Sequence, residues 1–215
     1  MTDAIETIEY KGHTIKIYQD ENPISPREWD NICEFHCSHR KYNLGDKEFN
    51  YHDGQDCIEA ITERKRNGDL VLPLYMYDHS GITISLCTFY GRLSQGHAEF
   101  DSGIVGFVVV PRKKMLEEFG KKLFTPKLKE KALEIAQNEV DTYDQYLRGD
   151  VYGYVIDDGD GDSCWGYYGD IKYAIEAAEE TIDYMIKNAI KKHCEKVKAW
   201  ILNKVSLNCR TGLST

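Results

Sequence analysis

A chain of 215 residues, 41% hydrophobic and 29% charged, can bury a sizeable core and is not a disordered tail. No apolar run approaches the ~18 residues of a membrane span. The net charge of −9 is unevenly placed: residues 187–215 hold seven Lys/Arg and one acid, Glu195, leaving 20 of the 27 basic and 35 of the 36 acidic side chains in residues 1–186. A body that acidic repels nucleic acid unless a basic patch overrides it, and it suits solubility or a basic partner surface.

Residues 1–10 hold Asp3, Glu6 and Glu9 and lack the basic-then-apolar order of a signal peptide. A cytoplasmic protein is therefore expected, with its seven scattered cysteines as free thiols. Residues 6–18 alternate around Lys11-Gly12 and read as a hairpin. Pro23 and Pro26 mark a loop, and residues 27–54 show no clean period. A short helix is expected from Gly54 to Lys65, ended by Asn67-Gly68. Residues 71–77 and 82–87 look like strands joined by Asp78-His79-Ser80-Gly81, and residues 104–110 form another. A helix follows from Pro111 to Phe119. Thr125-Pro126 starts the next, in which Leu128, Ala132, Ile135, Ala136, Val140, Tyr143 and Leu147 recur at helical spacing until Gly149. Residues 152–156 and 163–168 read as a hairpin across an Asp/Gly turn. From Asp170 as N-cap, Ile175, Ala178, Ile182, Met185, Ala189, Val197 and Ile201 share one face of a long helix, acidic in its first turns and basic in its later ones. The class expected is α+β: a central, mainly antiparallel sheet with flanking helices, residues 1–170 as the domain, and residues 171–215 as a long C-terminal helix that packs on it or projects toward a partner.

Four short constellations bear on chemistry. Cys33, His36, Cys37 and His39 are zinc-ligand types, but four ligands within seven residues, without a second pair, do not match the usual two-pair spacing. A packed cysteine–histidine group is the plainer reading, and no metal or cofactor is expected. Asp158, Asp160 and Asp162 alternate like a calcium loop, yet Ser163 stands where that loop needs glycine and Gly169 where it needs a bidentate Glu, so a turn with positive φ is expected. Asp78-His79-Ser80-Gly81 and Asp101-Ser102-Gly103 fall at strand ends. Asp78 and Asp101 are candidate paired carboxylates and His79 a candidate base for Ser80 or Ser102, with Asp30 and His39 completing the set. No G-x-S-x-G elbow, phosphate loop or dinucleotide fingerprint occurs. Trp165-Gly166-Tyr167-Tyr168-Gly169, with Tyr152 and Tyr154, suggests a stacking platform, but the acidic turn carrying Asp160 and Asp162 favours a protein partner or the chain's own core over a phosphate backbone.

Pro26-Arg27-Glu28-Trp29-Asp30-Asn31 and the stretch Cys37-Ser38-His39-Arg40-Lys41-Tyr42-Asn43-Leu44-Gly45-Asp46 resemble motifs of a family of hypothetical proteins from phages and other mobile elements. Residues 72–84, 101–107, 143–154 and 162–169 look like that family's later motifs in the same order, so the resemblance covers about residues 8–170. Cys33 and His36 depart from the pattern, which has Gly and an aliphatic residue there. The resemblance implies a mobile-element context and no particular mechanism.

Three functions follow as expectations. The first is an interaction protein that inhibits a host defence system, of anti-CRISPR or anti-restriction type. It would bind a host protein or nucleoprotein complex through an acidic, tyrosine-rich surface including Trp29 and Tyr42. The second is a metal-assisted hydrolase built from the separated Asp and His motifs. The third is a nucleic-acid-binding module using Lys187, Lys191 and Lys192, and homo-oligomerisation through the same helix is a further expectation; no membrane partner is expected.

Overall fold

The computed structural model describes residues 3–92, 100–159 and 161–204. In chain order the elements are β1 (Glu6–Tyr10), β2 (His13–Gln19), β3 (Glu34–Cys37), α1 (Gly54–Arg66), β4 (Leu70–Asp78), β5 (Ile82–Ser85), β6 (Ser102–Val110), α2 (Arg112–Glu118), α3 (Pro126–Arg148), β7 (Val151–Ile156), β8 (Ser163–Tyr168) and α4 (Ile171–Lys204). The class is α+β. Its strands form two four-stranded sheets among the described residues, in the orders β1-β2-β7-β8 and β3-β6-β4-β5, where one central sheet was expected. The chain divides into two compact units, Glu21–Val151 and a discontinuous one of Met1–Asp20 with Tyr152–Thr215. The cause is the antiparallel pairing of β2 with β7, Ile15 opposite Ile156 and Ile17 opposite Tyr154, which joins two hairpins distant in sequence.

In the discontinuous unit α4 covers one face of its sheet. Ile15, Ile17, Tyr154 and Ile156 meet Ala174, Ala178 and Ile182, all buried. Strand alternation sends Lys16, Tyr18 and Val155 to the opposite face. There Gly153, opposite Tyr18, makes room for an indole: a Cβ at that position would fall 2.3 Å from Trp165 Cε3. Asp170 Oδ1 caps α4 by accepting from the Lys172 N–H at 3.0 Å. The Asp/Gly turn has φ of +51° at Asp157 and +54° at Asp158. Asp157 accepts from His13 Nδ1 (2.6 Å) and the Thr14 N–H (2.9 Å), and Lys16 pairs with Asp158. Asp162 accepts from the N–H of Ser163 at 2.8 Å, and Asp160 lies outside the described residues.

In Glu21–Val151 the sheet is covered on both faces, which is why β6 reads as a nearly unbroken apolar run. Val108 and Val110 join Phe35, Leu74, Ala132, Ala136 and Val140 in the core under α3, while Val109 joins Cys57 and Ile61 under α1. Thr125 Oγ1 accepts from the Leu128 N–H (3.3 Å), Pro126 opens α3, and Gly149 ends it in the left-handed region at φ +78°. Strand β3 was not anticipated, because residues 27–54 are ordered by polar side chains instead of by an apolar period. The Arg27 guanidinium grips Asp46 through two bonds (2.8 and 3.0 Å), Glu139 (3.0 Å) and the Cys33 carbonyl (2.8 Å), and lies 3.9 Å above the Phe35 ring. Glu139 accepts in turn from the N–H groups of Ile32 (2.9 Å) and Cys33 (3.1 Å), and Asp46 from that of Phe35 (2.9 Å). This network ties the Pro-Arg-Glu-Trp motif to the Leu-Gly-Asp motif and to α3.

The six described cysteines are free thiols, and Cys209 lies outside the described residues. Among the described residues no helix is long and apolar enough to cross a membrane.

Candidate functional site

The antiparallel register gathers the separated motifs at one end of the β3-β6-β4-β5 sheet. Cys37, at the end of β3, pairs with Gly106 in the middle of β6, so the segment after β3 runs toward the start of β6. Tyr77, near the end of β4, pairs with Ser102 at the start of β6. The segments after β3, after β4 and before β6 therefore converge, and they carry His39, Asp78-His79 and Asp101-Ser102. A register shift between Leu74 and Tyr75 gives β6 one extra residue beside this end, a bulge of the kind that re-aims side chains next to a site. Gly106 is required here, since a Cβ would lie 2.2 Å from the His36 carbonyl oxygen.

A cleft of about 320 Å³ opens at this sheet end, lined by His39, Arg40, Asp78, Phe100, Asp101 and Ser102 among others. His39 Nδ1 accepts from the N–H groups of Lys41 and Tyr42, both at 3.3 Å, and its ring stacks on Tyr42 with centroids 5.2 Å apart. With Nδ1 an acceptor, the neutral ring carries its proton on Nε2. Asp78 accepts from the Tyr42 hydroxyl at 3.0 Å and from Lys41 Nζ at 3.3 Å. The tyrosine hydrogen bond, helped by Lys41, holds its carboxyl below the ordinary range, so Asp78 is a carboxylate. His79 donates from Nδ1 to Asp101 Oδ2 at 3.0 Å and stacks on Tyr77. Asp101 thus faces both His79 and the cleft.

No family model matches this chain, and neither a curated protein nor a solved structure does. Function is therefore read from the site.

Of the catalytic candidates, His39, Asp78, His79, Asp101 and Ser102 meet at this sheet end, His79 through its bond to Asp101. Asp30 does not: its carboxylate is fully exposed, 3.5 Å from Lys114 Nζ. Trp29, half-exposed at the end of a one-turn helix (Pro26–Glu28), is absent from the cleft wall as well. Tyr42 belongs to the site through its bond to Asp78. Arg40 and Phe100 are functional candidates the sequence reading passed over. The available signals were their positions beside His39 and Asp101 and, for Phe100, a large apolar side chain in a polar stretch.

The zinc grouping comes apart, because the chain is extended there: His36 and Cys37 lie in β3, Cys33 just before it and His39 just after it. Cys33 and Cys37 enter the core with Phe35, and His36 points to the other face, where it stacks on Phe49 with centroids 4.1 Å apart and bonds the Tyr51 hydroxyl at 2.9 Å. Burial pushes both thiols up and pulls the His36 pKa down to about 4, so His36 is neutral beside Glu34. Among the described residues no three His, Cys, Asp or Glu side chains are grouped closely enough to hold a metal ion.

The aromatic platform also divides. Tyr154 is buried, bonding Thr181 Oγ1 at 2.8 Å, and Tyr152 and Tyr167 pack against the same core. Trp165 alone of that set is exposed, with Tyr18 at 6.2 Å. Lys187, Lys191 and Lys192 are exposed on α4.

Proposed function

We propose that this chain is a hydrolase of small polar substrates whose site is the cleft at the end of the β3-β6-β4-β5 sheet. The observation that carries it is the convergence, at one sheet end, of acid–base side chains from three separated segments. In this reading Asp101, held by His79, takes a proton from an attacking water. The water oxygen bonds to a carbonyl or phosphoryl centre, and the bond to the leaving group breaks. Asp101 then passes that proton to the leaving group, while the Nε2–H of His39 donates a hydrogen bond to the departing atom, so one water is consumed and both residues return to their starting forms. Arg40 offers its guanidinium to the oxygen that gains charge. Asp78 holds the loop after β3 through Tyr42 and Lys41. The donor set suits acid–base chemistry, and that is the form of hydrolysis proposed.

The test is a panel of chromogenic ester, amide, phosphodiester and glycoside substrates with the wild-type chain, His39→Gln and Asp101→Asn. One class should be turned over, and each variant should lose about 10²- to 10⁴-fold with unchanged circular dichroism. Turnover of none of the four classes, or rates indifferent to both variants, contradicts the proposal.

A second reading is favoured by the exposed Trp165, beside the half-buried Tyr18, on the sheet face opposite α4. In it the chain is a mobile-element protein acting in the host cytoplasm on a defence system of anti-CRISPR or anti-restriction type, and the ordered motif series supports that context. Phage plating on a defence-positive host separates the two. Protection lost in Trp165→Ala and kept in His39→Gln favours inhibition by contact; the reverse favours the cleft.

A further inference from the structure

Among the described residues, the second half of α4 adds no buried side chain to a core. Its first half is buried through Ala174, Ala178 and Ile182, but residues 189–200 are exposed without interruption. Helical segments of this length are marginal on their own in water and draw most of their stability from packing. This one nonetheless carries an apolar seam. Ile190, Cys194, Val197 and Ile201 follow one another at spacings of four, three and four, the d-a-d-a positions of two heptads. Ile190 is 59% exposed and Val197 40%, and Trp200, 62% exposed, flanks the seam at a g position. Lys191 and Lys198 occupy both e positions, and the segment's one acid, Glu195, lies at b, away from the seam.

This arrangement selects its occupant. Two copies of the helix paired antiparallel would set e against e, lysine against lysine. Paired parallel, they would set Lys191 against Ile186 and Lys198 against His193, with no carboxylate to meet them. The seam is too narrow for a helix lying in a lipid interface, which needs a broad apolar face. Its branched residues offer nothing to a phosphate backbone, which the lysines alone would attract. We propose that residues 187–204 are a docking helix for a partner protein that presents an acidic helix or helical groove, apolar at its centre and lined by Asp or Glu opposite Lys191 and Lys198. The site is independent of the cleft and stands whether or not the cleft is catalytic.

The probe is a three-heptad peptide with leucine at a and d and glutamate at e and g, titrated into the full chain and followed by tryptophan emission and calorimetry. The comparison ligands are the same peptide with lysine at e and g, a DNA duplex and phosphatidylglycerol vesicles. The glutamate peptide should bind, with a blue shift that Trp200→Phe removes. Val197→Asp and Lys191→Glu/Lys198→Glu should each weaken it at least about tenfold. Both variants alter exposed positions, and unchanged helicity verifies their fold. The proposal is overturned if the glutamate peptide does not bind, or if the lysine peptide, the duplex or the vesicles bind as tightly. Self-association of the chain that Val197→Asp abolishes would overturn it too.

Discussion

Two residues show how close the packing around the site is. Gly106 sits where any side chain would strike the His36 carbonyl oxygen. Gly106→Ala should therefore cost about 1–3 kcal/mol, read as a fall in Tm of roughly 2–4 °C per kcal/mol. A Tm unchanged within error would mean that the strands are not so close. His36 reports through pH. Its folded-state pKa of about 4 lies below the ordinary 6.5, so between those values the unfolded chain binds a proton that the folded chain refuses. Stability due to this residue is complete above pH ~6.5 and falls as the pH drops toward 4, by on the order of 2–3 kcal/mol. Asp78, Asp157 and Asp170, whose pKa values are also lowered, add acid sensitivity of the same sign at lower pH. The His36 share is isolated by urea denaturation of wild type and His36→Gln at pH 7 and pH 4.5. The gap between the two proteins should shrink at the lower pH, and a constant gap would refute neutral burial. None of this was visible in the sequence, where His36 looked like a metal ligand because burial and strand facing leave no local mark.

At the scale of elements, legibility followed mechanism. Helix α3 was readable to the residue, since its cap, its first-turn proline, its apolar spacing and its terminal glycine are all local signals. Thr125→Ala should cost about 0.5–2 kcal/mol in thermal unfolding. The opposite case is β3, built from long-range polar contacts. Arg27 there is nearly enclosed between Asp46 and Glu139. Arg27→Met leaves two carboxylates without their cation and should cost about 3–5 kcal/mol, enough to make denaturant unfolding of the Glu21–Val151 unit clearly earlier. A loss below 1 kcal/mol would place that network among surface ion pairs. The two hairpins were likewise legible, and their pairing with each other was not. Turn chemistry is local, whereas the choice of partner strand depends on which faces α4 and the sheet bury together.

For the whole molecule, the sequence showed fragments of a site without showing whether they meet. The answer lay in strand direction: because β3 and β4 both run antiparallel to β6, the strand ends that carry His39, Asp78-His79 and Asp101-Ser102 fall at one end of the sheet. Asp30, on a loop outside this pairing, was left aside. The charge division has a structural counterpart as well, since the basic stretch coincides with the half of α4 that leaves the core. The central claim is that the cleft residues act as one machine, and a double-variant cycle on the proposed hydrolysis tests it most directly. His39→Gln, Asp101→Asn and the pair of them together should lose nearly the same activity, because the Asp101 proton transfer and the His39 hydrogen bond serve one step. Two small losses that multiply in the double variant, or no loss at all, would contradict it.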